Sequence, residues 1–206
     1  MMASPNTNTS ATGGYLLPAP PSPFPKHQTL EQFLQQVFVG VSGLPGDLVR
    51  PKWQPNPPKQ PDIYTNWLAI GLQEEDADTF SYNSIDESGN NVFKRMEALT
   101  IQCSFYGPQA LGYGRLVRDG LQLGQNREAL QSGGMDFVST SKMTRIPDLV
   151  NERWVDRWEM SVFLRAEDMR VYPILYFLSA SGTLYALGDN GVKTLPITVT
   201  VEEQEG

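Results

Sequence analysis

The chain has 206 residues, 40% hydrophobic and 19% charged, with a net charge of −7 and a pI near 4.7. That suffices for one compact domain plus some unstructured peptide, and 16 prolines and 18 glycines raise the loop content. The acid excess argues against wrapping nucleic acid, which is driven by Lys and Arg releasing counterions from phosphates, and it suits a soluble surface.

Residues 1–27 are rich in Asn, Ser, Thr, Gly and Pro, and the run from Pro18 to Pro23 favours an extended polyproline shape. They lack the basic start and apolar segment of a secretion signal. Such an arm is either a solvated tail or a reach onto a neighbouring subunit, with Tyr15, Leu16, Leu17 and Phe24 as its apolar anchors. The spacing of Leu30, Phe33, Leu34, Val37, Phe38 and Val41 predicts an amphipathic helix. Thr29 and Gln32 form a capping-box pattern at its start, and Gly40, Gly43 and Pro45 end it. Residues 44–64 read as a long proline-rich connection pinned by Trp53.

A strand is expected over 66–72, then a long acidic loop carrying Glu74, Glu75, Asp76 and Asp78. Leu99, Ile101, Cys103 and Phe105 alternate with polar residues, the period of a strand with one face in the core. Residues 67–72 and 93–106 are expected to pair antiparallel. Gly107-Pro108 opens a helix to about Asp119, whose buried face takes Ala110, Tyr113, Leu116, Val117 and Leu121. Gly112 and Gly114 weaken that helix, which points to close packing against a neighbouring surface. Asn126 is placed as the cap of a short helix, Arg127 to Leu130. Residues 135–146 follow as a polar strand. In the next strand Trp154, Trp158, Met160, Val162 and Leu164 share one face, interrupted by Asp156. Strand-like runs at 171–178, 183–187 and 195–201 are separated by turns at Ser181-Gly182 and Asp189-Asn190-Gly191. This order gives an α+β class, helices stacked on an antiparallel sheet with an extra C-terminal β element. Three segments follow: an arm (1–27), an α+β domain (28–178) and a β extension (179–206).

Little in the sequence carries chemistry. One cysteine, Cys103, and one histidine, His27, allow no intramolecular disulfide, no Cys/His zinc cluster and no Cys–His or Ser–His pair within the fold. Cys103, in an alternating apolar stretch, reads as a buried structural thiol. The acidic stretch lacks the rest of a calcium-loop pattern. Glu152 and Asp156, flanked by Arg153 and Arg157, read as surface ion pairs rather than a general acid and base. No catalytic residue, metal site or cofactor is assigned, and no membrane span.

Five runs resemble a known family when taken in order: Asn66-Trp67-Leu68-Ala69-Ile70-Gly71, Ser104-Phe105-Tyr106-Gly107-Pro108-Gln109-Ala110, Arg118-Asp119-Gly120-Leu121-Gln122, Gln125-Asn126-Arg127-Glu128, and Arg145 through Trp154. Over about residues 29–175 the chain resembles the phage neck terminator proteins, relatives of tail terminators. The resemblance implies a tail-terminator-like fold without catalytic residues. It also implies a ring, commonly a homohexamer, that caps the tail tube and joins the head connector in the virion after assembly in the host cytoplasm. Tail tube or sheath proteins and connector proteins are the implied partners, and DNA passes through the channel without specific binding. The alternative reading is a terminator or adaptor of a tail-like contractile injection device that has no head. Arg115, Arg118, Arg145, Asn151, Arg153 and Arg157 are the expected subunit-interface residues, since arginine and tryptophan are enriched at interfaces. Substitution of Arg118 and Arg157 by glutamate is expected to weaken assembly more than folding. Glu74, Glu75, Asp76 and Asp78 are the expected channel lining, their sign letting DNA slide.

Overall fold

The computed structural model describes residues 16, 18–19, 27–150, 152–173, 179–188 and 191–200. Two 16-residue strands, β4 (Asn91–Tyr106) and β9 (Arg157–Tyr172), form its spine, paired antiparallel without a break from Asn91↔Tyr172 to Tyr106↔Arg157. β2 (Trp67–Ala77) and the short β3 (Tyr82–Ile85) pair with the other edge of β4, while β5 (Met135–Thr140) and β6 (Thr144–Arg145) pair with the outer edge of β9. Leu99, Ile101, Cys103 and Phe105 on β4 and Met160, Val162 and Leu164 on β9 are all buried on one face. The expected alternation thus sets which face the helices cover.

Helix α1 (His27–Ser42) buries Leu30, Leu34, Val37 and Phe38 against that face, each contributing about 1.5–3 kcal/mol. It starts at His27, so Thr29 lies inside the first turn and not at the cap position expected for it. Gly43, at φ +70°, closes the helix with its N–H on the Val39 carbonyl at 2.9 Å. The proline-rich connection holds a 3₁₀ turn, Gly46–Leu48, and a strand the sequence did not announce, β1 (Val49–Pro51). β1 runs parallel to β2 at the sheet edge, where the proline's missing N–H is tolerated, and it makes the sheet mixed. The Gln35 side-chain amide locks it to α1 by donating to the Val49 carbonyl at 2.6 Å. Trp53 remains 64% exposed, but its ring edge lies on Gly71, where a Cβ would stand 2.5 Å from the ring.

Helix α2 (Ala110–Gly120) buries Ala110, Gly114 and Val117, while Leu116 is exposed against expectation because it falls on the solvent side of the turn. Close packing holds for Gly114, beneath Met143 and Phe105, and not for Gly112. Helix α3 (Gly124–Gln131) begins before Asn126. That side chain therefore does not cap it and instead donates to the Gly120 carbonyl at 2.9 Å, tying α3 to the end of α2. A small hairpin, β7 (Asp148–Val150) with β8 (Arg153–Val155), precedes β9. β10 (Ser179–Gly188) and β11 (Gly191–Thr200) form a separate hairpin. Ser181-Gly182 lies within β10 rather than in a turn; Asp189 and Asn190 lie outside the described residues. The architecture is α+β, as expected.

Candidate assembly surfaces

The acidic stretch is not a loop. Glu74, Glu75 and Asp76 continue β2, opposite Thr100, Leu99 and Ala98 of β4, after a bulge between Leu72 and Glu74. Cross-strand pairing with β4 wins over the local charge, because each added residue completes a ladder. Strand alternation then splits the acids: Glu74 and Asp76 lie on the face away from the helices, and Glu75 lies on the helical face. Asp78 accepts a two-pronged bond from Arg165, 3.1 Å on each prong, so its charge is committed within the subunit. The connection after β2, β3 and the first half of β4 add the exposed Phe80, Tyr82, Ile85 and Met96 to this end of the sheet.

Beyond Glu75, the helical face carries two buried acids. Glu97 is 5% exposed and Asp168 is 1% exposed. Asp168 pairs with Arg170 at 2.6 Å, leaving its Oδ1 and the Glu97 Oε2 without hydrogen-bond partners among the described residues. Burial, then the nearby Glu75 and Asp168 charges, push the Glu97 carboxyl above its ordinary range.

At the opposite end of β4, Trp67 stacks on Tyr106 with ring centroids 4.1 Å apart. Arg157 lies beside them on the face away from the helices, bonded to Asp148 of β7 at 2.7 Å and near Glu159 at 3.5 Å. It fastens the β7–β8 hairpin to the sheet. Burial raises the Tyr106 phenol and, as its largest effect, lowers the Lys52 ammonium; both line a groove of about 490 Å³ between the 50–60 connection and this face. Burial also pushes the Cys103 thiol up, so it stays protonated.

The six arginine and asparagine candidates thus divide. Arg115 and Arg153 are exposed and make no ion pair among the described residues. Arg118 pairs with its neighbour Asp119 at 2.7 Å, and Arg145 with Asp156 at 2.6 Å, both at the surface. Arg157 is turned inward, and Asn151 lies outside the described residues. The structure adds apolar neighbours that sequence periodicity concealed. Leu149 and Trp154 face each other across the hairpin, 61% and 70% exposed, beside Arg153. Trp154 therefore leaves the apolar face expected to run from Trp154 to Leu164, because β8 and β9 are separate strands broken at Asp156. Leu116 and Leu123 are exposed near Arg115 and Arg118. Among the described residues no three His, Cys, Asp or Glu side chains converge as a metal site would require, and no helix is long and apolar enough to cross a membrane.

The family model described as phage neck terminator protein matches residues 28–189. The chain belongs to the phage neck terminator family. Its role is a structural one in the neck of a phage virion, where it assembles with other head or tail proteins. The match runs from the second residue of α1 through β10 and leaves β11 outside, a longer span than the 29–175 expected from the motifs. No curated protein matches the chain.

Proposed function

We propose that this neck protein works as a closed ring of identical subunits, six in the simplest reading, that ends the tail and joins it to the head connector around the DNA channel. Ring closure requires each subunit to present two unlike surfaces that fit each other, since a single self-complementary patch gives only a dimer. The observation that supports the proposal is that one subunit carries two unlike exposed surfaces. One is on the helical layer, with Arg115, Leu116 and Leu123; the other is on the β7–β8 hairpin, with Leu149, Arg153 and Trp154. Both combine exposed apolar side chains with an exposed arginine that makes no salt bridge among the described residues, the composition of interface anchors.

Light scattering of the purified chain over a range of concentrations, with electron microscopy of the particles formed, tests it. A ring mass is expected for the native chain. Arg115→Glu or Trp154→Ala is expected to lower the assembled fraction at least tenfold while leaving the subunit's unfolding free energy within about 0.5 kcal/mol of the parent. A chain that assembles equally well with both changes does not close through these surfaces.

A further inference from the structure

The outer edge of β9 is only partly covered. β5 reaches Ala166, and the Glu167 N–H then donates to the Gly134 carbonyl at 3.2 Å. From Asp168 to Tyr172 the strand continues in register with β4 on its inner side, and among the described residues no strand pairs with its outer side. Among the described residues, one bond reaches this outer edge: the N–H of Ala19 donates to the Val171 carbonyl at 2.7 Å. Glu167 and Val171 both turn their backbone groups outward, so by strand alternation Met169 does the same. An edge with outward amides and carbonyls is a template for another strand.

The arm's sequence suits that place. In Pro18-Ala19-Pro20-Pro21, Ala19 alone has an N–H, and it is spent on Val171. Prolines on both sides leave no donor for a further strand, so the arm covers the edge and stops the sheet from growing. Leu16, Pro18 and Ala19 are half-buried. Pro20, Pro21, Pro23 and Pro25 then dominate the link to α1. Such a link extends by about 3.1 Å per residue, so the eight steps from Ala19 to His27 span about 25 Å, enough to cross a subunit boundary.

Resting on the ring reading above, we infer that the Pro18-Ala19 segment of each subunit adds to the β9 edge, 168–172, of the neighbouring copy. A chain alone has only its own edge to bond. In a ring the same contact forms on the neighbour unchanged, so exchange sacrifices no contact, and proline-rich composition disfavours the tight reversal that folding back onto the same subunit needs. Each subunit would then hold the next through main-chain bonds, the strand-addition mode of recognition.

Engineered disulfides test the exchange. Strand spacing of about 4.8 Å lies inside the about 4.4–6.8 Å that a disulfide spans between Cα atoms. Cys103 is fully buried and stays out of the reaction. Full-length Ala19→Cys and Val171→Cys chains are mixed and treated with diamide, and the double variant is treated separately. Cross-linked dimers in the mixture, and a ladder up to the ring in the double variant, are expected. Ala19→Pro, which removes the donor, is expected to weaken subunit association about tenfold. A ring mass by light scattering with cross-links only within single chains, or with none, overturns the exchange and leaves the ring reading standing. A chain that stays monomeric at every concentration overturns the ring reading itself, and the exchange with it.

Discussion

Arg157 stands between Asp148 and Glu159, its side chain only 21% exposed, and so belongs to the interior economy of the subunit. Removing it leaves Asp148 without this partner, takes a nearby cation from Glu159 and releases the β7–β8 hairpin. Arg157→Ala is expected to lower stability by about 2 kcal/mol in urea denaturation, whereas Arg153→Ala, exposed and with no ion pair among the described residues, changes it by less than about 0.5 kcal/mol. Glu97 behaves in the opposite sense. Burial and the charges of Glu75 and Asp168 raise its pKa above the ordinary value of 4.5, against the weaker pull of Arg170 and Arg95. The native state therefore holds this proton to higher pH than the unfolded chain does. Its contribution is fully present below the unfolded value and is lost as pH rises through the folded one. Glu97→Gln is expected to raise the melting temperature at pH 8 and to change it little at pH 4. An equal shift at both values contradicts the assignment.

Two glycines of the segment after β4 separate backbone need from packing need. Gly107 has φ +100°, and a Cβ there would stand 2.5 Å from the Thr65 carbonyl oxygen. Gly107→Ala is expected to cost about 2 kcal/mol or more. Gly112 has nothing within 4 Å, so Gly112→Ala should stabilise the subunit by about 1 kcal/mol through helix propensity. If α2 meets a neighbour as proposed, the same change weakens ring association, and paired melting and light-scattering curves read the two effects apart. Elements with a clean period were legible in the sequence. The α1 stripe and the β4 alternation are examples, because one side of each faces the core. β1 was not legible, being three residues in a proline-rich run that gain their strand state from β2. The acidic end of β2 was read as a loop for the same reason: its pairing comes from β4, 24 or so residues on, and local composition does not report it. Trp154 and Arg157 exchanged their expected places because the break at Asp156 turns the chain, and a period counted across a break assigns the wrong face.

At the scale of the whole molecule, the lone subunit has its helices on one sheet face and two exposed acids, Glu74 and Asp76, on the other. The proposed ring around DNA needs a lining that does not bind phosphate. A carboxylate belt repels the duplex, while a lysine belt would hold it through released counterions. Glu75 turns to the helical face and Asp78 is clasped by Arg165, so the group of four reduces to two exposed acids per subunit, Glu74 and Asp76, that make no ion pair among the described residues. Virions carrying Glu74→Lys with Asp76→Lys are therefore expected to assemble rings of native mass and to release their genome more slowly, followed by a DNA-binding dye after triggering in vitro. The slowing should fade as salt rises, because screening shortens the reach of the lysine charges. Native release at low salt removes these residues from the channel. Particles whose tails fail to join heads place them instead against an adjoining tier. Asp78→Asn, which loosens the Arg165 clasp without adding positive charge, separates local destabilisation of β2 from either outcome.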